Sequence, residues 1–161
     1  MSIQVGEKVP DVTLKWLGED GLSEVKTGEL FAGKKVVLFS VPGAYTPTCS
    51  ADHLPGFVAK ADDIKAKGVD AIVCLAINDP WVMKAWGEAQ GVGDKIIMLP
   101  DGNGAFTKAM GLEQDLGVAS LGVRGKRFSM RLNDGVVESL DIEPGKGVSV
   151  SGADACLTGL G

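Results

Sequence analysis

The chain has 161 residues and a mass of 16.7 kDa, a length that suits one domain, residues 1–161, with a full hydrophobic core. Apolar residues make up 45% and charged residues 23%, which excludes a disordered chain and indicates an ordinary globular protein. The net charge of −5 argues against nucleic acid or an anionic membrane as a partner, because both attract basic surfaces.

Cysteine usage and the N-terminal residues suggest a compartment. The three cysteines stand at wide spacings, unlike the framework of a disulfide-rich secreted protein. The first residues, MSIQVGEK, lack the basic and apolar segments of a secretory signal, and no apolar run approaches the roughly 20 residues of a membrane span. We therefore expect a cytoplasmic protein, with a cleaved transit peptide as the open alternative.

The first predicted elements are a hairpin and a short helix. Residues 12–16 and 22–25 alternate apolar and polar side chains around a turn at 18–21, which predicts two paired strands. Thr27 is expected to cap a short helix that contains Leu30 and Phe31.

The central part predicts a buried strand followed by a long helix. Residues 36–41 form a continuous apolar run, as in a strand buried on both faces. Helical spacing then runs from residue 47 to 67, with an inward face of Leu54, Phe57, Val58, Ala61 and Ile64. Pro55 should kink or interrupt this helix, and Gly68 should end it.

The remainder predicts further alternation of strands and helices. The strands are expected at residues 70–77, 95–99, 126–132 and 136–142, the last two joined by the turn Asn133-Asp-Gly135. The helices are expected from Asp79 to about Gln90 (with Trp81, Val82, Ala85 and Trp86 inward), at 104–110 and at 152–160. This order predicts an α/β protein of thioredoxin-like fold, with a mixed central sheet flanked by helices and an N-terminal hairpin.

The turn after the first central strand carries the strongest chemical signal, PGAYTPTC over residues 42–49. Pro47 suits the first helical position, because its missing N–H would have no partner there. With Thr46 as the N-cap, Cys49 is the third helical residue, where free backbone N–H groups point at its sulfur. The helix N-terminus favours thiolate over thiol, so the sequence predicts a reactive Cys49 at the carboxyl end of a central strand.

Residues 41–50, VPGAYTPTCS, contain the P-x-x-x-T-x-x-C pattern of the peroxiredoxins and closely resemble their type-five branch, also called plant type II. The likeness covers essentially the whole chain, through residues 53–57, 76–83, 126–130 and 137–144. It implies a thiol-dependent peroxidase acting on hydrogen peroxide and alkyl hydroperoxides. By this resemblance Cys49 is the peroxidatic cysteine, Thr46 its hydroxyl partner, Pro42 the residue that shields the pocket and Arg127 the site arginine.

Arg124 is the alternative to Arg127. The pattern favours Arg127, which lies in the alternating run 126–132 and so on a rigid strand, whereas Arg124 lies in the glycine-bracketed turn 122–125.

The other thiols and the histidine have simpler interpretations. Cys74 lies in an apolar strand and is expected to be an inert core residue. Cys156 lies in the last helix, and packing is preferred over a resolving role, since the preceding loop at 147–152 holds no cysteine. His53 follows Cys49 by four residues, which could suit a metal, but no further ligands accompany the pair; polar packing beside the pocket is the preferred interpretation.

The resemblance implies no metal, haem or flavin, and an external thiol reductant: glutathione with glutaredoxin, or thioredoxin. It also implies a homodimer, with residues 78–83 and 118–122 as candidate contacts. Two alternative functions are a redox-sensing or chaperone-like interaction protein and a thiol–disulfide oxidoreductase. The second of these requires a Cys-x-x-Cys pair, and Cys49 is followed by Ser-Ala-Asp.

Overall fold

A computed structural model describes residues 2–145 and 147–161. The strands, numbered in chain order, are β1 Thr13–Gly18, β2 Gly21–Lys26, β3 Lys35–Ser40, β4 Ala71–Ala76, β5 Ile97–Pro100, β6 Glu113–Asp115, β7 Val123–Gly125, β8 Phe128–Asn133 and β9 Val136–Ile142. The α-helices are α1 Thr27–Phe31, α2 Leu54–Ala66, α3 Pro80–Ala89, α4 Ala105–Ala109 and α5 Ala153–Leu160. A π-helical turn, Cys49–His53, precedes α2, and a 3₁₀ turn, Gly117–Ala119, lies between β6 and β7.

The central sheet is mixed and has the strand order β5-β4-β3-β8-β9. Strand β3 lies in its middle, parallel to β4 and antiparallel to β8, with Val37 opposite Ile72 and Leu38 opposite Met130. Because β3 has a neighbour on each edge and helices on both faces, its apolar run is buried throughout, as predicted. The site that follows β3 therefore starts from a rigid element.

Alternate residues of β3 and β4 point into two separate cores. One core contains Phe39 and Cys74 with side chains from α2, α3 and α5, and the other contains Leu38 and Leu75 with side chains from α1 and α4. The predicted thioredoxin-like arrangement of a mixed sheet between helices is confirmed.

Both predicted hairpins are present. Strands β1 and β2 pair from Thr13 to Lys26, and β8 and β9 pair around the turn at Asp134 and Gly135. Both turn residues have positive φ, 51° and 77°, the geometry that Asp-Gly favours in a two-residue hairpin loop. Helix α2 ends as expected, with Gly68 at φ 95°.

Three expectations were wrong. Trp81 is 59% exposed and Ala85 is also exposed, because the inward face of α3 follows the spacing of Met83, Trp86 and Gly87 instead. Thr27 is the first residue inside α1 rather than its cap; its hydroxyl donates to the Pro10 carbonyl and accepts from Val12 N–H.

The third concerns the segment before β8, where strand β7, antiparallel to β6, occupies most of the turn expected at residues 122–125. Its strands have three residues each, too short to show a pattern. Within the described residues, no helix combines the length and apolar character that crossing a bilayer requires.

Candidate active site

The sequence places Cys49 by a tight turn at the end of β3. The Gly43 carbonyl accepts hydrogen bonds from both the backbone N–H of Thr46 (3.3 Å) and its hydroxyl (2.7 Å), and Tyr45 has a positive φ of 64°. Helical conformation begins at Pro47, as predicted. The Thr46 hydroxyl, however, donates to the preceding turn instead of capping the N–H of Cys49.

The first turn of the helix is a π turn. The N–H of Leu54 bonds to the carbonyl of Cys49, five residues back, and Pro55 follows with no N–H to donate. The expected interruption by Pro55 is confirmed, in the form of this wider turn. Trp86 fixes the turn from α3 by donating its indole N–H to the Ser50 hydroxyl at 3.0 Å.

Cys49 and Arg127 are in direct contact. The Sγ atom of Cys49 is fully buried and lies 3.1 Å from Nη2 of Arg127, which donates to it. A guanidinium is always charged at neutral pH, so the sulfur of Cys49 faces a permanent positive charge. The other terminal nitrogen of the guanidinium, Nη1, lies 2.8 Å from Nδ1 of His53.

The hydrogen bonds of His53 define its tautomer. Its Nε2 lies 2.9 Å from the carbonyl oxygen of Ser151, which can only accept, so Nε2 carries the proton. The unprotonated Nδ1 then accepts from Arg127. Burial lowers the pKa of His53 to about 4; the Ser151 carbonyl opposes this shift and the charge of Arg127 adds to it. The ring is therefore neutral at physiological pH and serves Arg127 as an acceptor.

The Ser151 carbonyl is held in turn by Glu143. Both Ser149 and Ser151 donate their backbone N–H and their hydroxyl to the Glu143 carboxylate, at 2.6 to 2.8 Å. Although burial raises the pKa of Glu143, these four hydrogen bonds outweigh it and bring the pKa to about 2. The carboxylate is thus a permanent anion beside the site.

A cleft of about 500 Å³ opens beside this group, lined by both Pro42 and Arg127 together with Thr48, Gln114, Leu116, Lys126 and Pro144 among others. Its walls combine apolar side chains with the cationic groups of Lys126 and Arg127. A small molecule in this cleft would contact Arg127, the residue that donates to Cys49.

The structure brings Cys49 and Arg127 together, but not for the reason drawn from the sequence. Arg127 lies in the two-residue junction before β8, whereas Arg124 lies on strand β7. Arg124 donates to the carbonyls of Leu121 and Pro42, at 2.9 and 3.3 Å, and so supports the turn that carries Pro42.

The remaining cysteines are buried in the same core as Cys49. Burial raises the pKa of the Cys74 thiol well above its ordinary value, and the neighbouring charge of Cys49 adds to this shift. Burial also raises the pKa of Cys156 to about 11. Both thiols are therefore protonated at neutral pH and poor nucleophiles. No cluster of metal-ligating side chains occurs among the residues described.

Sequence reasoning missed the link from His53 to Arg127 and the roles of Ser151 and Glu143. It expected polar packing of His53 beside the pocket, but carried no signal for its hydrogen-bond partner 98 residues away. Glu143 follows β9, and a single carboxylate in that position forms no sequence motif that would indicate its role.

Comparisons with known proteins identify the family of the chain. The Redoxin family profile matches residues 4–157. Peroxiredoxin-2B of Arabidopsis thaliana is 47% identical, over 98% of each chain, and Peroxiredoxin-2E-2, chloroplastic, of Oryza sativa subsp. japonica is 49% identical, over 99% of this chain and 73% of its own. Reduced Prx3 of Vibrio vulnificus, solved in complex with H₂O₂, superimposes with a TM-score of 0.95 at 49% identity, covering 99% of both chains.

The predicted family, fold and enzyme class are therefore confirmed, and the chain belongs to the redoxin family, within which it is a peroxiredoxin of the plant type 2 group and a thiol-dependent peroxidase.

Proposed function

We propose that Cys49 is the peroxidatic cysteine and that Arg127, Thr46 and Pro42 assist it. The contact of 3.1 Å between Arg127 Nη2 and Cys49 Sγ carries this proposal. The thiolate attacks the terminal oxygen of the peroxide, an S–O bond forms and the O–O bond breaks. Sulfur loses two electrons and becomes sulfenic acid, Cys–SOH, while the departing oxyanion takes a proton from water and leaves as water or an alcohol.

Arg127 stabilises the charge as it moves from sulfur to the departing oxygen. Two of its five N–H groups hold Cys49 and His53, so three remain for the oxygen. His53 is a neutral hydrogen-bond acceptor. It therefore orients the guanidinium of Arg127 without neutralising the positive charge that stabilises the departing oxyanion.

Thr46 orients the peroxide as an acceptor. Its hydroxyl proton is committed to the Gly43 carbonyl, so its oxygen presents lone pairs to the peroxide O–H. Pro42 lines the cleft and has no N–H to offer to water. Support for hydrogen peroxide as a substrate comes from the Vibrio vulnificus relative, which was solved with it.

The test is rapid-quench mass spectrometry of Cys49 after one equivalent of hydrogen peroxide. Arg127→Ala should slow sulfenic acid formation by about 10²–10³-fold, the usual effect of losing an oxyanion donor. Arg127→Lys should restore little of this rate, because an ammonium group lacks the planar geometry with which a guanidinium hydrogen-bonds the Cys49 sulfur and the His53 ring together. Arg124→Ala should have a much smaller effect, since its contacts are with the turn. Equal rates in Arg127→Ala and Arg124→Ala would remove Arg127 from the mechanism.

We propose further that an external thiol regenerates the enzyme in a one-cysteine cycle. Glutathione with glutaredoxin is the proposed reductant, and thioredoxin is the alternative reductant. Glutathione displaces water from the sulfenic acid to form a mixed disulfide, and a second thiol then releases the Cys49 thiol and oxidised glutathione. The protonated state of both other thiols supports this cycle.

Cys74→Ser and Cys156→Ser should therefore retain turnover with glutathione and glutaredoxin, and oxidised wild type should gain a glutathione adduct on Cys49. A stoichiometric Cys49–Cys156 bond in peptide mapping, with turnover lost in Cys156→Ser, would make this a two-cysteine enzyme.

We also propose a homodimer near the active-site face and a reducing, cytoplasmic location. The candidate contacts at 78–83 and 118–122 expose Trp81 and Val118, apolar side chains that a partner subunit would cover. In analytical ultracentrifugation Trp81→Arg should dissociate the dimer, and Leu22→Arg, at an exposed position outside both candidate segments, should not. The location is tested by imaging the tagged full-length chain against a plastid marker.

A further inference from the structure

A closed ring of hydrogen bonds supports the guanidinium of Arg127. The ring runs from Arg127 Nη1 to His53, from His53 to the Ser151 carbonyl, and through Ser151 to the Glu143 carboxylate. It closes where the backbone N–H of Glu143 donates to the carbonyl of Arg127 at 2.9 Å. Glu143 thus holds the main chain of Arg127 directly and its side chain through two intermediates.

Glu143 is the main anchor of the segment that presents the Ser151 carbonyl. Four donors from Ser149 and Ser151 converge on its two carboxylate oxygens. The segment begins after Gly147, whose φ of 100° belongs to a flexible glycine, and it has no regular secondary structure before α5. The position of the Ser151 carbonyl therefore depends on the carboxylate.

The carbonyl of Ser151 decides which nitrogen of His53 is protonated. While it accepts from Nε2, Nδ1 is free of hydrogen and accepts from Arg127. If the carbonyl moves away, the ring can carry its proton on Nδ1. An N–H would then face the guanidinium N–H groups, and Arg127 would shift away from the sulfur.

We propose that Glu143 is a positioning residue that fixes the tautomer of His53, through Ser149 and Ser151, and thereby keeps Arg127 on Cys49. The role extends the proposed function above and rests on it for its effect on catalysis. The four side-chain hydrogen bonds of Glu143 all go to Ser149 and Ser151, and none goes to the sulfur of Cys49. Its influence reaches the sulfur through the orientation of one imidazole ring.

The experiment has a readout that a purely structural role would not move. His53 is the only histidine, so a ¹⁵N–¹H correlation spectrum of histidine-labelled protein reports its two ring nitrogens without overlap. In wild type at pH 7, Nε2 should resonate as a protonated and Nδ1 as an unprotonated nitrogen. In Glu143→Gln, whose amide NH₂ faces the serine donors, the spectrum should show a mixture of tautomers.

The rate of sulfenic acid formation in Glu143→Gln should fall by between 10- and about 100-fold, the scale for a catalytic group displaced by an ångström. The matched control is Glu138→Gln, which removes an exposed carboxylate from β9, the strand that Glu143 follows, and should leave spectrum and rate unchanged.

A wild-type tautomer in Glu143→Gln overturns the proposal, whatever the rate, because Glu143 then does not act through His53. If Glu143→Gln fails to fold, Ser151→Ala is the second variant. It removes one of the four hydrogen bonds to the Glu143 carboxylate but keeps the Ser151 carbonyl. It must show the same mixture of His53 tautomers, with a smaller share of the second tautomer. The spectrum needs no peroxide, so a wild-type enzyme that did not react with peroxide would refute the proposed function while leaving the tautomer test intact.

Discussion

Acidification should destabilise the protein through His53. Its ring is only 1% exposed, and burial lowers its pKa to about 4, against 6.5 for the ordinary value that the unfolded chain retains. As the pH falls, the unfolded state takes up the proton first, so the stabilisation is complete above about pH 6.5 and is lost between there and pH 4. The gap between the two pKa values corresponds to about 3 kcal/mol of unfolding free energy.

The measurement is urea unfolding of wild type and His53→Gln at intervals from pH 7 to pH 4. Comparing the two curves cancels the titration of the 21 acidic residues, which both proteins share. The free energy of unfolding of wild type should fall by about 3 kcal/mol more than that of the variant between pH 7 and pH 4. The reasoning is refuted if the ring titrates near pH 6.5 by NMR and the two stability curves run parallel.

Three further predictions concern a hydroxyl, a core glycine and a helix cap. Thr46→Val keeps the side-chain shape but removes the acceptor, and should slow sulfenic acid formation by about 10²-fold in the rapid-quench assay; a full rate would exclude Thr46. Gly125→Ala places a Cβ 2.9 Å from the buried Ser40 hydroxyl, which has no partner among the described residues, and should lower the unfolding free energy by about 1–3 kcal/mol in urea. Gly18→Ala, whose Cβ would meet the Gly21 carbonyl oxygen at an ordinary 3.9 Å, should change little. Asp79→Ala removes the side chain that caps α3 and should cost about 1 kcal/mol in thermal unfolding, with near-UV dichroism unchanged.

The position of Cys49 could be predicted because its determinants are local. A buried strand, a proline-rich turn and an amphipathic helix follow one another within about 30 residues, and each leaves its own pattern. The Asp134–Gly135 turn is similarly local, since its two positive φ angles require those residue types.

The surroundings of Cys49 could not be predicted in the same way. The resemblance predicts Arg127 as the site arginine. The argument that Arg127 lies on a strand and Arg124 in a turn was wrong, because strands of three residues are too short to show an alternating pattern. The exposed position of Trp81 was also not predicted. Its large apolar side chain favours burial, but the helical spacing of Met83 and Trp86 places Trp81 on the outer face of α3.

The contacts around Cys49 join distant parts of the chain, which has a consequence for biosynthesis. Arg127 is 78 residues from Cys49 in sequence, and the carbonyl that holds His53 is 98 residues from it. A ribosome that has completed β4 has already made the cysteine but not yet the arginine or the serine segment. Contacts of such large sequence separation form late in folding. Under the proposed mechanism the newly made thiol gains its reactivity only when the last third of the chain has docked. Reaction of Cys49 with peroxide would then mark the completed fold.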